Sequence, residues 1–299
     1  MAKANADAYQ SIWTSLMDLQ FRQAYVDASG VRTRYVQAGP QDAPKLIMLH
    51  GTGGCWESFI GNIPAHAAQF DTYAIDLLSH GYTDKPDKII TIDDYVDHLK
   101  NVMDALGIEK ASLAGMSLGS WVATKFAVRF PNRVNKVTLV SAWGRPSAAP
   151  AATTPKEAAF LEKAREARLM AVEKPTWAAM ESIFEGLIHD SNKRLPDLMG
   201  LRLKSYRQPN MLQAMQNVWF GLDESWKSGT VSDEEACSIQ TPFLIIAAVD
   251  SKDAFLACSY EYEKLIPNSK LVEVKEAFHW AQWEAADEFN RTNLQFLRS

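Results

Sequence analysis

The sequence predicts an α/β fold: a mostly parallel, doubly wound sheet interrupted by a helical insertion. Three observations carry this. Short apolar runs alternate with segments of helical spacing up to about residue 145, and the pattern resumes near 239. The stretch 146–238 has no strand-like run and is rich in Ala, Leu, Met, Glu and Lys. Between an apolar run and a helix-like run stands Gly115-Met116-Ser117-Leu118-Gly119, a G-x-S-x-G in the strand-turn-helix setting that gives this motif meaning. The 299 residues are therefore read as a core of 1–145 and 239–299 with a helical cap of 146–238.

The elements follow in order. Residues 21–27 and 31–37 alternate apolar and polar around Ser29-Gly30, which predicts a β-hairpin. Residues 45–49 form a short apolar run that feeds His50-Gly51-Thr52-Gly53-Gly54, a strand leading into a glycine-rich loop. A buried-type strand at 72–75 ends at Asp76, and residues 92–106 show the 3,4-spacing of a helix. Strands are expected at 110–113 and 136–140, with a helix at 121–130 between them. The insertion opens on an Ala/Pro-rich linker at 146–155, and helices are expected at 156–171 and 177–187. Strands return at 242–248 and 270–274, and an amphipathic helix closes the chain at about 284–297.

Composition limits the function classes. A net charge of −5 argues against nucleic acid or an anionic membrane as partner. No apolar run reaches the roughly 18 residues of a membrane span, and no secretory leader is evident, so a cytoplasmic protein is expected. Cys55, Cys237 and Cys258 are scattered and odd in number, which gives neither a disulfide framework nor a zinc spacing. No metal or cofactor motif is present, and a small-molecule substrate is expected.

Chemistry converges on Ser117. A neutral hydroxyl needs a base within reach, and the base needs an orienting carboxylate. His50 lies in the glycine-rich loop, His66 and His98 on helices, His80 after the Asp76 strand and His189 in the insertion. Only His279 follows the last strand, giving the chain order Ser, acid, His. The acid should follow the strand at 242–248, where both Asp250 and Asp253 qualify. Asp250 is preferred because it stands at the strand's carboxyl end. Oxyanion donors are expected from the Leu118 and Thr52 amides.

Taken together, the His-Gly at 50–51, Asp76 with His80-Gly81-Tyr82-Thr83-Asp84, the Ser117 turn and His279 resemble the α/β-hydrolase superfamily over nearly the whole chain. The segment Phe278-His279-Trp280-Ala281-Gln282-Trp283-Glu284 resembles the carbon–carbon bond hydrolases that act on meta-cleavage products of aromatic compounds. That resemblance implies a vinylogous diketone substrate derived from an aromatic and a cofactor-independent reaction; the oligomeric state, a homodimer included, stays open. It also implies a pocket tryptophan at Trp280 and a cap arginine, Arg202, that holds the substrate's carboxylate. Gly51, Gly53 and Met116 are expected beside the substrate. The chain departs from the family pattern at Thr52-Gly53-Gly54-Cys55-Trp56, at Met116 where Asn is usual, and at Ala248-Val249-Asp250-Ser251-Lys252-Asp253. On the residues alone, an ester or lactone hydrolase with the same triad stays open, as does a pairing of Arg202 with Asp197. A non-catalytic ligand receptor on this fold is a third reading.

Overall fold

The structure, a computed structural model, describes residues 11–145, 166–251 and 253–299. Eight strands form one sheet in the order β1-β2-β4-β3-β5-β6-β7-β8. They are β1 (Phe21–Asp27), β2 (Arg32–Ala38), β3 (Lys45–Leu49), β4 (Asp71–Ile75), β5 (Ala111–Met116), β6 (Val134–Val140), β7 (Phe243–Ala248) and β8 (Ser269–Val274). The expected hairpin is β1–β2. β2 is antiparallel to both its neighbours, and every pair from β4 to β8 is parallel.

Burial explains the residue choice. β5 and β7 are buried along their whole length, as are β3 from Leu46 and β6 from Val137, and these strands read as nearly unbroken apolar runs. The edge strands β1 and β8 keep many exposed positions and alternate in character.

The register sets the site. Leu49 pairs with Gly115, Met116 with Val140, Val140 with Ile246 and Ala248 with Val274. The carboxyl ends of five strands therefore lie level along one edge. The loops that follow them, which hold His50, Ser117, Ser141, Asp253 and His279, gather where open α/β sheets place their ligands.

The helices of the first half are α1 (Ile63–Ala67), α2 (Ile92–Ala105) and α3 (Leu118–Arg129). α2 starts at a capping box, with Thr91 and Asp94 satisfying each other's backbone N–H groups. Between β6 and β7 the described residues contain no strand. They hold a helical stretch at 166–173, then α4 (Trp177–Leu187), α5 (Pro196–Tyr206), α6 (Met211–Ser228) and α7 (Asp233–Ser238). The linker at 146–155 and residues 156–165 of the expected first cap helix lie outside the described residues.

α6 docks on the segment before α2. A Cβ at Gly221 would stand 1.9 Å from the Ile90 carbonyl oxygen, so only glycine permits this approach. Ile90 N–H donates to the Asn217 carbonyl at 3.2 Å, and Ile92 N–H to Ser225 Oγ at 2.9 Å. Trp226 stacks among Trp121 and Trp143, with ring centroids 4.7 and 5.5 Å away.

Two elements differ from the expectation. A helix, α8 (Ala254–Leu265), joins β7 to β8. Its signal was its N-cap, because Asp253 Oδ1 accepts the N–H groups of Phe255 and Leu256. The closing helix is two helices, α9 (Ala281–Glu284) and α10 (Ala286–Arg298), broken at Ala285.

Candidate active site

Ser117 is the single residue between β5 and α3, with φ 54° and ψ −117°. That backbone is costly for any L-residue, and neighbouring glycines make the turn tight enough to impose it. A Cβ at Gly115 would meet the Gly119 carbonyl oxygen at 2.2 Å, and one at Gly119 would meet the Leu49 carbonyl oxygen at 2.1 Å. Ser120 braces the turn from behind: its hydroxyl donates to the Ser117 carbonyl at 2.6 Å and accepts the Trp143 N–H at 2.9 Å. The Leu118 N–H, at the start of α3, has no acceptor among the described residues.

The glycine-rich loop is shaped by His50. Leu77 N–H donates to its Nε2 at 3.0 Å, so the proton sits on Nδ1, which donates to the Gly51 carbonyl at 2.7 Å. A Cβ at Gly51 would lie 3.0 Å from both Met116 Sδ and Ser117 Cβ, which presses the loop onto the Ser117 turn. The Thr52 N–H also has no acceptor among the described residues. The far end of the loop is tied to Asp76, whose carboxylate accepts Trp56 N–H at 2.8 Å, Tyr82 N–H at 2.7 Å and Arg34 Nε at 2.6 Å. Arg34 also forks onto Glu57 at 2.8 and 3.0 Å. This buried group gives Asp76 its place: it ties the loop to Arg34 and to the Tyr82 backbone.

His279 is half-buried in the loop after β8, its ring edge-on to Phe255 at 4.4 Å. Ser141 Oγ donates to its carbonyl at 2.8 Å. Ser141 has φ 47°, a second strained residue at a strand end. Sequence reading missed it, because it carries no motif. Burial lowers the His279 pKa to about 4; the Asp253 charge opposes this and Arg168 adds to it. The ring is thus neutral at pH 7 and fit to accept a proton. It makes no hydrogen bond to Ser117 or Asp253; such contacts commonly tighten only in the substrate complex.

The two carboxylate candidates are placed differently. Asp250 is exposed, and its Oδ2 accepts the Glu276 N–H at 2.8 Å. Asp253 is half-buried, and it is the carboxylate whose charge acts on His279. Its Oδ1 is held by Ser251 Oγ and two amides of α8, and Oδ2 has no partner among the described residues. These observations favour Asp253 over Asp250, against the preference drawn from position along the chain. The strand end turns Asp250 into a surface staple between two loops.

The helices between β6 and β7 supply Arg202, on α5. It is buried, at 5% exposure, and no carboxylate pairs with it among the described residues. Asp197 instead accepts from Ser11 Oγ at 2.6 Å and Ile12 N–H at 3.1 Å. The Arg202 guanidinium lies 5.5 Å from the Phe184 ring centroid, and Phe184 stands edge-on to Trp280 at 5.5 Å. A Cβ at Gly53 would lie 3.1 Å from Arg202 Nη1. Gly53, Arg202, Phe184 and Trp280 are thus one chain of contacts. Glu284, also buried, ties the cap to the His279 loop: Oε1 accepts His189 N–H at 2.6 Å and Oε2 accepts Phe278 N–H at 2.7 Å.

The remaining buried histidines bear on stability. Burial lowers His50 and His80 to about 3, and His66 and His98 to about 4. The unfolded chain, at about 6.5, binds more protons between roughly pH 4 and 6.5, so stability falls as pH drops through that window. Each histidine contributes on the order of 1 kcal/mol per pH unit, and the four together several kcal/mol per pH unit. Against a typical net stability of about 5–15 kcal/mol, acid unfolding followed by circular dichroism is expected with a midpoint above pH 4. A fold that stays native at pH 3.5 contradicts this.

Elbow, loop, late histidine and sheet order together define a hydrolase of the α/β class, and the chain belongs to the α/β-hydrolase fold family, whose model matches residues 44–286. The chain is 28% identical over 285 residues to the carboxylesterase YbfK of Bacillus subtilis (strain 168), covering 95% of this chain and 90% of that one. It is 29% identical over 284 residues to a 2-hydroxy-6-oxononadienedioate/2-hydroxy-6-oxononatrienedioate hydrolase of Burkholderia vietnamiensis, covering 91% and 93%. Among solved structures it is similar to the meta-cleavage product hydrolase CumD of Pseudomonas fluorescens IP01, with TM-score 0.78, 25% identity, and coverage of 92% and 97%. The enzyme is therefore an α/β-fold hydrolase whose relatives include both carbon–carbon bond hydrolases and carboxylesterases. No described helix is long and apolar enough to cross a membrane.

Proposed function

We propose that the protein is a serine hydrolase that cleaves a carbon–carbon bond in a small, carboxylate-bearing vinylogous diketone. Ser117 is the nucleophile, His279 the base, Asp253 the orienting acid, and the Thr52 and Leu118 amides the oxyanion donors. The observation that carries the substrate class is Arg202: a buried guanidinium beside the oxyanion loop with no carboxylate partner among the described residues. An uncompensated buried cation is costly, and an anionic substrate offsets that cost.

Arg202 anchors the carboxylate, and the dienol end of the substrate ketonises, which places an electron sink beside the scissile bond. His279 takes the proton from Ser117 or water as that oxygen adds to the distant ketone. The oxyanion receives the Leu118 and Thr52 N–H groups. Collapse breaks the carbon–carbon bond, its electron pair passes into the sink as a dienolate, and His279 returns the proton. A serine-bound acyl group then leaves by attack of water along the same route.

Ester hydrolysis is the second reading. It is favoured by the likeness to YbfK over 95% of this chain and by the apolar Met116 beside Gly51. It needs no ketonisation and no anchored carboxylate. A panel of ring-fission dienolates and aryl esters separates the two. On the first reading the dienolates are bleached, and Arg202→Met lowers kcat/KM on them about 100-fold, at least 30 times more than on an uncharged aryl ester. Turnover of esters alone, with equal effects of Arg202→Met on all substrates, supports the second.

A further inference from the structure

Tyr206 lies four residues after Arg202 on α5, so the two side chains share one face of the helix. Arg202 Nη1 donates to Tyr206 Oη at 3.3 Å. A guanidinium has no lone pair to accept with, so the phenol's own proton is not used in that contact. No described residue accepts it, although Tyr206 is only 6% exposed. Both groups face the same backbone: a Cβ at Gly53 would lie 2.4 Å from Tyr206 Oη and 3.1 Å from Arg202 Nη1. Gly53 has φ 71°, follows the Thr52 donor, and is glycine both for that backbone and for this approach.

The phenol proton of Tyr206 and the rest of the Arg202 guanidinium stand side by side with no acceptor among the described residues, against the loop that supplies the oxyanion site. A carboxylate has two oxygens and accepts from both at once. We propose that Tyr206 is a second anchor for the substrate's carboxylate: Arg202 donates to one oxygen and the Tyr206 hydroxyl to the other. This rests on the reading that Arg202 binds a carboxylate. It adds a requirement for a planar, two-oxygen anion over a lone charge, and it makes Tyr206 a specificity residue that no motif announces. The cap helix then carries its whole anion seat on one face, with Gly53 as the wall that fixes its distance from Thr52.

The test is calorimetric titration of the purified full chain with benzoate and with benzamide, its neutral analogue of nearly the same shape. Tyr206→Phe removes only the hydroxyl; Arg202→Met removes the charge. The expected result is that wild type prefers benzoate, that Tyr206→Phe cuts this preference about tenfold, and that Arg202→Met abolishes it. If Arg202→Met abolishes the preference and Tyr206→Phe leaves it intact, the second anchor is overturned and the carboxylate reading stands. If wild type shows no preference for benzoate, both are overturned. Melting temperatures of the variants within a few degrees of wild type establish that each is folded, and benzamide binding reports any general damage to the pocket.

Discussion

Ser117→Gly is expected to abolish turnover and at the same time raise the melting temperature. The catalytic loss follows from chemistry: removing a nucleophilic serine from a working triad costs on the order of 10⁵- to 10⁶-fold in kcat. The gain in stability follows from the backbone. Ser117 sits at φ 54° and ψ −117°, which is the mirror image of an ordinary extended conformation and is open to glycine. Holding an L-residue there costs about 1–3 kcal/mol. Glycine relieves that strain and gives back about 0.5–1 kcal/mol through the freer unfolded chain. The net gain is about 1 kcal/mol, or roughly 2–4 °C in a chain of this size. Ser117→Ala is the control, because it removes the same hydroxyl and keeps the strain. Calorimetry should rank glycine above alanine, with both inactive. Equal melting temperatures for the two would mean that the turn stores no strain at Ser117.

Asp253→Asn is expected to lower kcat/KM by about 10³- to 10⁴-fold, the scale found when a triad carboxylate becomes an amide. Asp250→Asn should change it by less than about threefold. Asp250 is exposed and accepts one backbone N–H from Glu276, a contact that an Asn oxygen keeps. The comparison is clean because Asn is also a good helix N-cap, so α8 keeps its start and the Asp253 variant stays folded. A second readout separates a catalytic from a structural role. The Asp253 charge raises the His279 pKa against the burial that lowers it to about 4. Removing that charge leaves His279 a weaker base, so the loss should fall on kcat with KM changed less than about threefold, read at neutral pH where the fold is intact. A large loss in Asp250→Asn with a small one in Asp253→Asn would return the acid to Asp250.

Much of this was legible in the chain. Gly115, Ser117 and Gly119 prescribe the strained turn by themselves, because their roles depend on local backbone geometry and the absence of side chains. The apolar runs of β3, β5, β6 and β7 prescribe a sheet covered on both faces, and the position of His279 after the last strand makes it the proposed base. Periodicity is a local property, and so are these features.

Other features depend on contacts between distant segments. Sequence placed Asp250 and Asp253 three residues apart at one strand end; only the start of α8 and the packing of the β8 loop gave one to Glu276 and set the other beside His279. Asp197 and Arg202 are neighbours in sequence, yet Ser11 and Ile12 occupy Asp197 and leave Arg202 to face Gly53. Ser141, Tyr206 and Glu284 carry no motif, since a hydrogen-bond donor or acceptor gains its role from what lies opposite. The sequence alone determined the fold and the strained Ser117 turn, and put forward Ser117 and His279 as the proposed nucleophile and base, because those readings follow from backbone geometry and strand order. Tertiary structure decided that the charge of Asp253 acts on His279 and that Arg202 stands against Gly53, because electrostatic pairing acts through space.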